Sequence, residues 1–160
     1  MHGRGDASPF PHWRGDASPL LTPMPLIVSV TNASGARYRG QRQMIASVQK
    51  ALKGHKMTNA RVDIVLLTDS RIRTLNKQYL KHDYATDVIT FPVEDQPLYG
   101  EIYVSLETAR RQAHEYRVTV VNELCRLAVH GALHLLGYDD AEKADRESMH
   151  ALENKYIVST

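Results

Sequence analysis

From residue 26 onward, the apolar positions alternate between two periods. Leu26-Ile27-Val28-Ser29-Val30 is a β-branched run followed by turn-forming residues from Asn32 to Gly35, which predicts a strand and a turn. Over 38–52, Met44, Ile45, Val48 and Leu52 recur at helical spacing, ending before Gly54. A second strand is predicted from Arg61 to Leu67. Asp69 or Ser70 can then cap a helix through Tyr79, with Ile72, Leu75 and Tyr79 on one side. Residues 87–91 predict a third strand stopped by Pro92, 94–98 a polar loop, and 101–105 a fourth strand. Helices follow over 106–116, over the nearly all-apolar 120–136 with Gly137 as its stop, and over 141–156 with a Met149, Leu152, Tyr156 stripe. The expected fold is α+β: a small mixed four-stranded sheet packed with about five helices.

The first 23 residues behave differently. His2-Gly3-Arg4-Gly5-Asp6-Ala7-Ser8-Pro9 recurs ten positions later, with Trp13 in place of Gly3. Two copies of a polar, Gly/Pro-containing segment cannot bury a core and have neither period. We read 1–23 as a disordered extension, either translated upstream sequence or sequence added for expression. Met24 is then the expected start of a single metal-binding catalytic domain over 24–160.

Composition narrows the class without changing it. The chain has 160 residues, 42% hydrophobic and 24% charged, which suits one globular domain. Net charge is only +2, so any nucleic-acid surface must come from local clustering. One cysteine, Cys125, excludes an intrachain disulfide and fits a reducing compartment. With no long apolar run and no signal-like start, cytoplasmic placement and no membrane partner are expected.

The run His130-Gly131-Ala132-Leu133-His134-Leu135-Leu136-Gly137-Tyr138-Asp139-Asp140 carries the chemistry. His130 and His134 lie four apart, so both rings project from one helix face on successive turns. The helix is otherwise so apolar that two unpartnered imidazoles would be costly to bury. After Gly137 the chain can fold back and bring Asp140 or Asp139 over the same face. Two histidines and a carboxylate make an acceptable zinc set with a fourth position left open. This places the site at the end of a buried helix. Peptidases of the H-E-x-x-H type carry their general base directly after the first histidine, where this chain has Gly131, so peptide hydrolysis is disfavoured.

HGALHLLGYDD resembles the H-G-x-L-H-L-x-G-Y-D-H signature of the YbeY-type endoribonucleases. Leu75-Asn76, Tyr79 and Thr86-Asp87-Val88-Ile89-Thr90-Phe91-Pro92 resemble the family's L-N-x-x-Y-R and T-D-V-L-S-F-P segments, and Gly100-Glu101-Ile102 with Ser105 its G-D-I-x-I-S strand. The resemblance implies a metal-dependent, single-strand-specific endoribonuclease in ribosomal RNA maturation and ribosome quality control. It also implies one zinc ion, or another divalent transition metal, on His130, His134 and Asp140, with single-stranded RNA and the ribosome as partners. Two positions depart from the pattern. Asp140 stands where the family has a third histidine, which preserves ligation but changes charge and softness. Leu80 stands where the family has an arginine thought to meet phosphate. Lys77, Lys81 or His82 could supply that charge, as point charges without arginine's fork. Leu80 favours an alternative, a ribosome-associated zinc-binding assembly factor with little intrinsic nuclease activity.

Around the motif, Asp139 is a candidate proton acceptor or outer partner of the metal, or a cap for the turn after Gly137. Glu123 and Arg126 fall near the His130 face and are expected either to orient an imidazole or to pair with a neighbouring helix. His55 and His114 are expected at the surface and Cys125 in the core. Basic groups gather at Arg37-Arg39-Arg42, Lys50-Lys53-Lys56, Arg71-Arg73-Lys77 and Arg110-Arg111.

Overall fold

A computed structural model describes residues 25–158, so the expectations for residues 1–23 and for Met24 lie outside the described residues. The elements are β1 (Leu26–Asn32), α1 (Gln41–Gly54), β2 (Ala60–Leu67), α2 (Asp69–Leu80), β3 (Val88–Glu94), β4 (Leu98–Ser105), α3 (Leu106–Tyr116), α4 (Val120–Leu135) and α5 (Lys143–Tyr156). The strands form one mixed sheet in the order β1-β2-β4-β3, with β1, β2 and β4 parallel and β3 antiparallel to β4. This is the α+β architecture the sequence predicts.

Strand alternation assigns the two faces. Val62, Ile64 and Leu66 of β2 and Ile102 and Val104 of β4 point to one side, where Met44, Val48 and Leu52 of α1 and Leu124, Ala128 and Ala132 of α4 complete the main core. Val65, Leu67, Ile89, Phe91 and Tyr103 face the other side, beneath Ile72 and Leu75 of α2. Each fully buried Leu or Ile contributes about 1.5–3 kcal/mol, so the main face dominates the energetics. Helix α4 lies against the sheet very closely. A Cβ at Gly131 would sit 2.7 Å from Ile102 Cγ2, so only glycine allows this approach.

Several boundaries differ from the sequence expectation, each for a physical reason. Helix α1 starts at Gln41 and includes Gly54, because Gly40, at φ 112, sits in the left-handed region and sets the start. Thr68, not Asp69 or Ser70, caps α2, its hydroxyl accepting from Arg71 N at 3.2 Å. Strand β3 continues through Pro92 to Glu94, since an edge strand has only one partner to satisfy and tolerates the missing N–H. Strand β4 accordingly starts at Leu98 within the predicted loop. Helix α5 starts at Lys143, two residues after the predicted 141, because 139–142 belong to the loop below. Among the described residues, no helix is long and apolar enough to cross a membrane.

Candidate metal centre

Helix α4 supplies two imidazoles from consecutive turns, and its termination delivers the third group. Thr119 opens the helix by accepting from Asn122 N at 3.0 Å. At the other end Gly137 adopts φ 101, and the N–H of Tyr138 reaches back to Leu133 O at 3.0 Å. This left-handed turn reverses the chain and carries residues 138–140 over the histidine face.

The three predicted side chains meet there. His130 Nε2 and His134 Nε2 lie 3.0 Å apart, and Asp140 Oδ2 stands 3.3 and 3.4 Å from them. The outer ring nitrogens fix the tautomers. His130 Nδ1 faces Glu153 Oε2 at 3.0 Å, and His134 Nδ1 faces the Tyr138 carbonyl at 3.0 Å. Both partners are acceptors, so each Nδ1 carries the proton and donates, leaving a lone pair on each Nε2. Two lone pairs and a carboxylate oxygen thus converge on one point. A single proton relieves part of that repulsion, whereas one divalent cation satisfies all three atoms at once. A tetrahedral zinc with bonds near 2.05 Å needs its ligand atoms about 3.3 Å apart, close to the triangle observed. The donor set can hold one ion.

Outer contacts reinforce this arrangement. Glu153, 6% exposed, also accepts from Arg126 Nη1 at 3.3 Å, and Arg126 Nη2 donates to Asn154 Oδ1 at 3.1 Å. Arg126 therefore pairs with α5, as the sequence allowed, and through Glu153 it also orients the His130 ring. Burial pushes the His130 imidazole down, but the bond and charge of Glu153, then the charges of Asp140 and Asp87, outweigh it and leave the pKa raised. Surroundings that favour a proton there favour a metal cation for the same reason. Tyr138 anchors the returning loop twice, by its carbonyl on His134 and by its hydroxyl on His55 Nε2 at 2.8 Å.

The other candidates divide. Asp139 is exposed and turns its carboxylate to the backbone, accepting from Asp140 N at 2.7 Å and Ala141 N at 3.3 Å. It caps the loop and so positions Asp140, with no bond to an imidazole. Glu123 is 1% exposed; burial raises its pKa, and its Oε2 has no partner among the described residues. Its expected pairing or ring-orienting bond is not made. Cys125 is buried in the core and His114 exposed, as expected. His55 is not the surface residue expected: its Nδ1 contacts Ala51 O at 2.8 Å and its ring meets Tyr138 edge-on. Sequence reading also missed Glu153. The available signal was a glutamate on the same stripe as Met149 and Tyr156, both buried.

The centre opens into a cleft of about 620 Å³ whose walls include Asn76, Leu80, His82, Tyr84, Asp87 and Asp95. None of the four basic clusters lines it. Arg73 and Lys77 turn to Asp83, at 2.8 and 3.8 Å, and Arg111 to Asp69, at 2.9 Å.

A sequence model of the family described as endoribonuclease YbeY matches residues 30–160. Among relatives carrying that name, the chain is 36% identical to one from Chloroherpeton thalassium over 71% of its own length and 81% of the relative's. It is 32% identical to one from Salinibacter ruber, over 84% and 91%. It is 39% identical to one from Anaeromyxobacter dehalogenans, over 78% and 66%. The fold is similar to the solution structure of a Thermotoga maritima protein, at TM-score 0.57 and 28% identity, covering 82% of this chain and 87% of that one. With a family model matched over residues 30–160 and relatives of that name at 32–39% identity, the chain belongs to the endoribonuclease YbeY family.

Proposed function

We propose that the protein is a metal-dependent, single-strand-specific endoribonuclease acting on ribosomal RNA during its maturation and in ribosome quality control, in the cytoplasm. One zinc ion is held by His130, His134 and Asp140. The observation that carries this reading is the triangle of 3.0, 3.3 and 3.4 Å between three electron-pair donors at the mouth of a cleft, with both outer ring nitrogens already engaged. When bound, the ion supplies a Lewis acid that polarises a phosphoryl oxygen and acidifies water. The protein's own contribution is positional. Glu153 and the Tyr138 carbonyl hold the two rings, Asp139 holds the loop, and Asp140 adds a negative charge that tempers the acidifying effect relative to three neutral imidazoles.

The test is incubation of purified protein with single-stranded RNA, with and without chelator. Cleavage that chelator abolishes and zinc restores is expected, and His130→Ala is expected to lose cleavage and metal retention together. Full activity in that variant removes the site assignment. The second reading, a ribosome-associated zinc-binding assembly factor, is favoured by one observation. Leu80, 47% exposed, lines a cleft that no lysine or arginine among the described residues lines. Metal-dependent folding with no cleavage of any RNA supports that reading.

A further inference from the structure

We propose that His82 and Tyr84 form a stacking platform for one unpaired nucleobase next to the phosphodiester presented to the metal centre. The inference rests on the endoribonuclease reading and names how its substrate is gripped.

The charged side chains among the residues lining the cleft, besides the histidines, are Asp87, Asp95 and Asp140. With Asp140 on the metal, a strand threaded past Asp87 and Asp95, on walls where no described lysine or arginine stands, gains little from its phosphates beyond the one at the ion, because the rest of phosphate affinity comes from lysine and arginine displacing counterions. Another source of binding must act, and base stacking on aromatic rings is independent of wall charge. The cleft offers such a surface. Tyr84 is 55% exposed, and its ring lies 5.3 Å from that of His82 at an interplanar angle of 40°. The two are locked by a 2.7 Å bond between His82 Nδ1 and the Tyr84 hydroxyl.

The platform is held rigidly although it lies outside any helix or strand. Asn76, 3% exposed, clamps both of its ends. Its carbonyl accepts from His82 N at 3.1 Å, and its side-chain amide donates to Tyr84 O at 2.9 Å. Lys81 closes α2 in the left-handed conformation at φ 60, which turns the segment toward the cleft. Tyr79, the other exposed aromatic nearby, instead packs edge-on against Phe91 with centroids 5.5 Å apart and does not line the cleft.

The experiment measures fluorescence anisotropy of zinc-loaded protein with a short labelled single-stranded RNA and a series in which one nucleotide at a time is abasic. One abasic position is expected to weaken wild-type binding by about tenfold. Tyr84→Ala is expected to lose the same factor on the intact RNA and to become indifferent to that position, whereas Tyr84→Phe, which keeps the ring but not the bond to His82, loses less and stays sensitive to it. Raising salt from about 50 to about 200 mM is expected to weaken wild-type binding by less than about tenfold, against about 300-fold or more for a protein gripping six or more phosphates of a single strand. Thermal melts of both variants should match wild type, since the Tyr84 side chain is exposed. A Tyr84→Ala protein that remains as sensitive to the abasic position as wild type overturns the platform while leaving the nuclease reading intact. So does a Tyr84→Phe protein as weak as Tyr84→Ala. Wild-type protein that neither binds nor cleaves any RNA overturns both.

Discussion

Removing Glu153 separates the metal centre from the scaffold that orients it. The carboxylate accepts from His130 Nδ1 at 3.0 Å with Oε2 and from Arg126 Nη1 at 3.3 Å with Oε1. Loss of an outer partner of a ligating histidine lowers metal affinity about 10- to 100-fold, or about 1.4–2.7 kcal/mol. A second cost falls on the fold. Breaking a buried ion pair costs about 3–5 kcal/mol. Arg126 is not fully buried, its side chain being 19% exposed, and it keeps Asn154 Oδ1 at 3.1 Å. About 1–2 kcal/mol of stability is therefore the expected loss in Glu153→Ala. Glu153→Gln keeps an acceptor for Nδ1–H without the charge, so its affinity should fall less than about tenfold. Zinc affinity measured by competition with a chromogenic chelator, alongside melts with and without zinc, reads the two terms separately. A Glu153→Ala protein that stays folded and binds zinc within about twofold of wild type would refute the reasoning.

Three further outcomes follow from the same structure. Gly131→Ala places a Cβ 2.7 Å from Ile102 Cγ2, so overpacking of about 1–3 kcal/mol outweighs the roughly 1 kcal/mol gained in helix propensity. Its melting temperature should drop by a few degrees, at about 3 °C per kcal/mol, and a rise would contradict the close helix-to-sheet approach. Asp69 is pushed up by burial, but the hydroxyls of Ser105 and Thr108 and the Arg111 guanidinium outweigh this and hold it below its ordinary pKa. A depressed folded pKa stabilises above the ordinary carboxyl value and is lost as pH falls through the folded one. Asp69→Asn should therefore cost about 1 kcal/mol at neutral pH in urea melts, and the gap should close in acid. Glu123 has the opposite sign, because burial raises it. Its contribution is present in acid and lost as pH rises through the folded value, so Glu123→Gln should unfold at higher urea than wild type at pH 8, with no advantage at pH 4.

Local periodicity made much of this molecule legible. Helix α3 begins and ends where its pattern says, and α4 ends one residue early, because Ser105 and Thr119 cap their starts and Arg117 and Gly137 turn left-handed at their ends. The convergence of His130, His134 and Asp140 was readable because both imidazoles share one helix and the carboxylate follows within a single turn of chain. Glu153 and His55 were not readable. They reach the centre from 23 residues beyond His130 and 83 residues before Tyr138, and only packing between helices brings them there. Pro92 misled for a related reason. A proline stops a strand only where both of its neighbours need bonding, and the sequence does not reveal which strand is the edge.

The double anchoring of Tyr138 has a consequence for position 140. The loop is positioned by the turn at Gly137, the two bonds of Tyr138 and the cap from Asp139, none of which uses the side chain of residue 140. The scaffold therefore fixes the backbone at position 140 independently of the side chain it carries. An oxygen or a nitrogen can be exchanged at that point, altering hardness and charge, while the two imidazoles and their backing stay fixed. Position 140 is thus the point at which the character of the centre would be tuned with the least disturbance to the surrounding architecture.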